Sequence, residues 1–368
     1  MIAACDKTLT VAIPSAHLDV WPYLWIRTTA GPKIGFGHLR RCLILARSLQ
    51  DCSTPLFILD SHDRWSRNLL AEQGYEFCCE ELREVWSLFS DPSAILIDTR
   101  RTKGLNLLIA RARNRGIPVI SIHDLGLNPL PSDVVIDGSV VPGSCRSAFD
   151  RNAEVLQGAD YMILDPILQQ LHQKKRQIRK KIQSVVVNLG GGDSQAFFPK
   201  ILEGLKRWAQ ELTVVGLKGF VHWGQDRLER MDWHPVRFRW ENADPYPFLL
   251  KADVAITAGG LSAYEALCAG TPLLALSYDP LQQTTIRAFA DAGACIDLGP
   301  GSELDPLRLS KALACLDADW DSRLRLSLNG KKMVDGCGAS RVAGIIRKWI
   351  HRSIAANHAI HELKRELG

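Results

Sequence analysis

At 368 residues, with 46% apolar and 23% charged side chains, the chain has the make-up of a folded globular protein and the length of two domains. That excludes bulk disorder, collagen-like repeats and a core that depends on disulfide staples. A net charge of +5, from 45 Lys and Arg against 40 Asp and Glu, suits anionic small ligands and falls short of the clustered excess of a dedicated nucleic-acid binder.

The first twenty residues lack the basic region and long apolar run of a secretory signal. No stretch approaches the roughly 18 unbroken apolar residues of a spanning helix, so a cytoplasmic protein without stable membrane insertion is expected. Short apolar runs then alternate with longer helical patterns. Strands are predicted at Tyr23–Arg27, Pro55–Leu59, Ala94–Asp98, Pro118–Ile122 and Asp133–Ile136. A second set is predicted at Ser184–Leu189, Glu211–Val215, Val236–Arg239, Asp253–Thr257, Pro272–Leu276 and Cys295–Asp297. Helical patterns lie between them, among them Leu39–Gln50, Gly104–Arg115, Phe197–Gln210 and Ala263–Ala269. This alternation implies parallel sheets with crossover helices, an α/β fold of two doubly wound domains. The expected boundaries are 1–165 for the first domain, 166–183 for a basic linker, 184–338 for the second domain, and 339–368 for a terminal helix. That helix is expected to pack back on the first domain, although its basic face also suits an anionic membrane surface.

None of the ten cysteines forms a C-x-x-C pair, and several sit in apolar helical runs. Buried free thiols fit better than a disulfide framework. The histidines are scattered, and His358 and His361 lie in a polar tail, so no metal and no cofactor are expected.

Three glycine turns carry the candidate chemistry. Lys33–Arg41, KIGFGHLRR, joins the first strand to an apolar helix. Gly35 and Gly37 permit a tight turn, and the turn delivers His38 to the edge where open α/β sheets bind ligands. A histidine there suits a general base, and it equally suits a simple helix cap. The run VVVNLGGGDS, residues 185–194, presents Gly190, Gly191 and Asp193 after a strand, a turn whose N–H groups can face phosphate oxygens. ADVAITAGGLSAYE, residues 252–265, ends a strand in Gly259 and Gly260. Ser262 and Glu265 have the spacing of a capping box, which alone accounts for both. Alternatively the turn holds a diphosphate and Glu265 reaches ribose hydroxyls. Asp98 and the His123-Asp124 pair sit at strand ends, where they either line a cleft or hold a loop.

RTTAGPKIGFGHLRRCLILARSL resembles the N-terminal signature of the UDP-2,4-diacetamido-2,4,6-trideoxy-β-L-altropyranose hydrolases of pseudaminic acid biosynthesis and of the related spore-coat polysaccharide proteins. GADYMILDPIL, VVVNLGGGDS, ADVAITAGGLSAYEALCAGTPLLAL and KKMVDGCGASRVAGII resemble the same family in order and spacing, over roughly residues 23–350. The resemblance implies the GT-B architecture, similar to the UDP-GlcNAc transferase of peptidoglycan synthesis: two Rossmann-like domains facing a cleft, with UDP held mainly by the second. It implies His38 as the base that activates water. It places UDP or substrate contacts on Gly35, Gly37, Gly190, Gly191, Asp193, Gly259, Gly260, Ser262, Glu265 and Gln282. The implied reaction breaks the sugar C1–O bond with inversion, releases UDP and uses no metal. Three positions depart from the family pattern. Thr29 stands where an acidic residue is usual, Arg100 where a tyrosine is usual, and Leu281 where an asparagine precedes the glutamine. They keep two alternatives open, a glycosyltransferase with a UDP-sugar donor and a nucleotide-binding homologue without catalysis.

Overall fold

The computed structural model describes residues 21–31, 34–60, 63–79, 82–125, 130–141, 152–190, 197–208, 211–217 and 234–366. Seven strands form the first sheet: β1 (Tyr23–Thr28), β2 (Thr54–Leu59), β3 (Glu76–Cys78), β4 (Ala94–Asp98), β5 (Val119–His123), β6 (Val134–Asp137) and β7 (Glu154–Gln157). Six form the second: β8 (Ser184–Asn188), β9 (Leu212–Leu217), β10 (Val236–Glu241), β11 (Val254–Ala258), β12 (Leu273–Ser277) and β13 (Cys295–Pro300). All pairings are parallel, in the orders β3-β2-β1-β4-β5-β6-β7 and β10-β9-β8-β11-β12-β13. The central strands are apolar runs because helices cover both faces; β4, β5, β11 and β12 are buried along their whole length.

In each sheet the chain reverses its winding direction once. In the first the reversal falls between β1 and β4, where Thr28 pairs with Asp98. In the second it falls between β8 and β11, where Asn188 pairs with Thr257. Crossover loops diverge at such a point and leave a crevice at the C-terminal strand ends. The turns bearing His38, Gly190, and Gly259-Gly260 follow β1, β8 and β11. Topology therefore puts all three candidate turns at the two crevices.

The chain crosses between the sheets twice. The first crossing runs through residues 161–164, where Tyr161 and Ile163 pack in the first core and Met162 and Leu164 in the second. Residues 166–183 are more structured than a solvated connection. Helix Ile167–Gln173 buries Leu168 and Leu171 in the second core, and Arg176 donates to the Leu249 carbonyl. The return passes beside Met162 at Gly338, where any side chain would collide with the Met162 backbone. Helix Gly338–Glu366 then inserts Val342, Ala343, Ile346 and Ile350 into the first core, against helix α1 (Gly37–Ser48). Arg347 fastens it through the Ser48 carbonyl and Asp51, and the Trp349 indole donates to Glu154. No described helix is long and apolar enough to cross a membrane. Cys42, Cys52, Cys78, Cys268 and Cys295 are buried free thiols.

Candidate active site between the two sheets

The first-strand turn folds on itself: Gly31 and Gly35 exchange backbone hydrogen bonds, and Gly35 takes φ +84°, a left-handed conformation that favours glycine. α1 starts immediately after it, so His38 occupies the first turn of the helix at the mouth of the crevice. His38 is not a cap: the N-cap residue is Phe36, and no described side chain satisfies that end.

His38 is instead held by β4. Its Nδ1 lies 2.6 Å from Asp98 Oδ1, and both side chains are buried. Arg41, one helical turn on, donates through Nε to Asp98 Oδ2 at 3.0 Å and through a terminal nitrogen to Oδ1 at 2.9 Å. The same guanidinium reaches Asp124 at 2.5 Å. Asp98 and Asp124 thus serve one purpose, to fix Arg41 and, through Asp98, the imidazole. Burial alone would weaken the Arg41 charge, but the Asp124 and Asp98 carboxylates more than reverse this and keep it cationic. Burial would likewise raise the Asp124 pKa, and Arg41 holds it well below the usual carboxylate range instead.

This arrangement decides the tautomer. Arg41 also lies 3.0 Å from Nδ1, but an ionised Asp98 at 2.6 Å is an acceptor and requires a proton on Nδ1. Nδ1–H therefore donates to Asp98, and Nε2 carries the lone pair. The imidazole is ready to accept a proton at Nε2.

Across the gap, helix Leu261–Cys268 follows β11. Its N-cap is Gly260, and no described side chain caps it. The capping-box reading of Ser262 and Glu265 is therefore corrected: Ser262 already lies within the helix, because the extended Gly260 backbone takes the cap position. Gly190, at φ +78°, stands beside Ser262, since a β-carbon built on it would meet the Ser262 hydroxyl at 3.8 Å. Gln282 comes from the next turn, where Asp279 caps helix Pro280–Asp291 through the Gln282 N–H at 2.8 Å. Its side-chain amide nitrogen lies 4.0 Å from the β-carbon position of Gly260. Gly190, Gly260, Ser262 and Gln282 thus line one small cradle. Gly259 has a packing reason of its own, because a β-carbon there would meet the Gln282 carbonyl and the Ile286 side chain at 2.9 Å. Gly191 and Asp193 lie outside the described residues.

Glu265, freed from capping, is buried and points at the first half. Its Oε1 pairs with Arg40 at 2.9 Å, whereas Oε2 has no hydrogen-bond partner among the described residues. Burial raises its pKa, opposed by Arg40. The two helix starts are in contact, with a β-carbon on Gly37 falling 3.5 Å from Leu261 Cδ1. The Tyr264 hydroxyl accepts the Val140 N–H at 2.9 Å, a second tie between the halves. The helix start that carries His38 and the one that forms the cradle therefore adjoin, one from each half.

Sequence reasoning missed Arg40, Arg41, Tyr246 and Tyr264. The first two stand inside the quoted motif, and the i, i+3 spacing of His38 and Arg41 on one helix was the available signal. Of the three departing positions, Thr29 is buried, and Arg100 and Leu281 are exposed. Among the described residues no three His, Cys, Asp or Glu side chains gather to hold a metal ion.

Two parallel-sheet Rossmann-like domains that meet across such a cleft define the GT-B fold, and solved structures agree. MurG of Acinetobacter baumannii matches with a TM-score of 0.64 and 15% identity, over 89% of this chain and 100% of that one. Anabaena HepE in complex with UDP-glucose matches with a TM-score of 0.55 and 14% identity, over 90% and 99%. In sequence, the chain is 27% identical over 333 residues to the spore coat polysaccharide biosynthesis protein SpsG of Bacillus subtilis strain 168, covering 88% of this chain and 94% of that protein. No family model matches the chain.

Proposed function

We propose that the protein is a nucleotide-sugar hydrolase of surface-polysaccharide synthesis, which cleaves the C1–O bond of a UDP-linked amino or deoxy sugar with inversion. The observation that carries this is the buried His38–Asp98 pair on α1, whose start touches the start of the helix that forms the cradle of Gly190, Gly260, Ser262 and Gln282. The likeness to a spore-coat polysaccharide protein supports the polysaccharide setting, and the UDP-glucose held by a structure of the same fold supports the ligand class.

The steps follow from the residues. The diphosphate lies against the N-terminus of helix Leu261–Cys268, where the helix dipole contributes about 0.3–1 kcal/mol, up to about 2 when partly buried. Most of the affinity therefore comes from hydrogen bonds and the base pocket. A ribose hydroxyl donates to the open Oε2 of Glu265. His38 Nε2 takes a proton from water as the water oxygen bonds to C1. The bond from C1 to the diphosphate oxygen breaks, UDP leaves with that electron pair, and the anomeric centre inverts. Asp98 stabilises the imidazolium formed, and the helix N-terminus stabilises charge growing on the diphosphate. A positioned base of this kind is worth about 10²- to 10⁴-fold.

A second reading has one observation in its favour. Arg100, two residues beyond Asp98, is exposed, and its charge is near enough to Asp124 to help lower that carboxyl's pKa. It suits an anionic acceptor, with His38 activating the acceptor hydroxyl of a glycosyl transfer. One screen separates the two. UDP release and free sugar from UDP-sugars without acceptor support hydrolysis; consumption only with an added acceptor supports transfer. His38→Ala should abolish turnover and leave UDP affinity nearly intact. Undiminished turnover in that variant removes His38 as the base, and UDP binding without any turnover leaves a nucleotide-binding homologue.

A further inference from the structure

Arg40 is the one described side chain that joins the catalytic helix to the cradle by an ion pair. It stands on α1, two residues after His38 and next to Arg41. A terminal nitrogen of Arg40 donates to the Tyr246 hydroxyl at 2.6 Å and pairs with Glu265 Oε1 at 2.9 Å. The guanidinium carbon also lies 5.7 Å from the centre of the Tyr246 ring. Both partners belong to the second half and are buried.

We propose that Arg40 is an interdomain clasp, a positioning residue that couples a vicinal diol seated on Glu265 to the placement of His38. The proposal rests on the nucleotide reading of the cradle and deepens it.

The division of the Glu265 carboxylate carries the idea. A buried carboxylate that served only as a strut would be expected to have both oxygens satisfied, because an unpaired buried oxygen is costly. Here one oxygen is given to Arg40 and the other has no donor among the described residues. A ribose diol supplies that donor. It stabilises the ionised form of Glu265, and the ionised form is the one that holds Arg40. By linkage Arg40 must favour the diol as much as the diol favours Arg40. Burial works against the charge on Glu265, so the two partners depend on each other more than an exposed pair would.

The mechanical consequence follows from the helix. α1 is a regular twelve-residue helix, so a pull on Arg40 moves His38 with it. Arg41 meanwhile locks the same turn to Asp98 and Asp124. An occupied cradle thus draws the intact His38–Asp98 pair toward the bound diphosphate, and an empty one leaves the cleft free to open.

The test is calorimetric titration of UDP and 2′-deoxy-UDP into the full chain. Wild type should prefer UDP on the order of tenfold. Arg40→Gln should bind UDP on the order of tenfold more weakly, within the 5- to 150-fold range of ordinary couplings, and its preference over 2′-deoxy-UDP should shrink to about twofold. Arg40→Lys, which keeps a charge for Glu265, should restore part of both. Tyr246→Phe, which keeps the ion pair, should retain the preference. If Arg40→Gln does not fold, the last two variants carry the test: loss of the preference in both, or its full retention in Arg40→Lys with unchanged affinity, overturns the clasp. An equal loss of affinity for both nucleotides in Arg40→Gln makes Arg40 a mere strut and overturns the proposal, as does no change at all. If wild type binds neither nucleotide, the nucleotide reading itself falls. If it binds both equally, only the diol contact and the clasp fall.

Discussion

Replacement of Asp98 by Asn tests the His38 assignment at its most sensitive point, because it changes one atom and leaves the packing intact. In the native pair Nδ1–H donates to Asp98 Oδ1 at 2.6 Å, while Arg41 occupies both carboxylate oxygens at 2.9 and 3.0 Å. An amide has only one acceptor oxygen. The three donated hydrogen bonds from Arg41 and His38 cannot all survive, and Arg41, the charged donor, keeps the oxygen. The amide NH₂ then faces Nδ1, donates to it, and forces the proton onto Nε2. The base is left in the wrong tautomer. The expected loss in kcat is the worth of a positioned base, about 10²- to 10⁴-fold. At 1.36 kcal/mol per decade this corresponds to about 2.7–5.4 kcal/mol of barrier. UDP release from whichever UDP-sugar the screen identifies measures the loss, and calorimetry with UDP serves as the control. UDP affinity should stay within about twofold, because Asp98 belongs to the first sheet and the cradle to the second. A variant that turns over within fivefold of wild type would show that His38 is not poised by Asp98, and the tautomer reasoning would fail.

Three further outcomes follow from the same contacts. Glu265→Gln should weaken UDP binding, and its stability relative to wild type should depend on pH. The folded pKa of Glu265 is raised by burial above the unfolded value of about 4.3, so its contribution is present below that value and is lost as pH rises through the folded one. The Tm of the variant relative to wild type should therefore rise from about pH 4 upward, and a difference independent of pH would contradict the burial of an ionisable group there. Asp124 has the opposite sign. Its folded pKa is depressed, so its contribution is present above about 3.9 and lost as pH falls through the folded value; Asp124→Asn should flatten the acid side of a Tm-against-pH curve. Ile346→Ala should cost about 2–5 kcal/mol, because Ile346 is fully buried in the first core. That corresponds to a fall in Tm of roughly 4–20 °C by calorimetry, and a shift under 1 °C would show that the terminal helix is not part of that core.

The central strands were legible because burial on both faces forces continuous apolar runs, as in Ala94–Asp98, whose predicted and observed bounds coincide. β3 and β7 were not: one has three residues, and the other is half-buried, so neither supplies an apolar run to read. The glycine turns were legible as strand-to-helix junctions, and topology places them at the two reversal points. The Ser262–Glu265 spacing misled because a local pattern competes with a backbone that Gly260 lets extend. Arg40 was invisible for a different reason. Its partners, Tyr246 and Glu265, lie more than two hundred residues away in the other half, and no local periodicity encodes that pairing. Asp98 and Asp124 could be seen at strand ends, but only the fold shows that Arg41 joins them.

A structure of the full chain with UDP tests most directly whether both halves act on one molecule. The shared-cleft mechanism predicts the diphosphate at the N-terminus of helix Leu261–Cys268, a ribose hydroxyl on Glu265 Oε2, and the terminal phosphate facing His38 Nε2 across a space the size of a sugar ring. UDP bound outside the cleft, or in the cradle with its terminal phosphate turned away from His38, would contradict it.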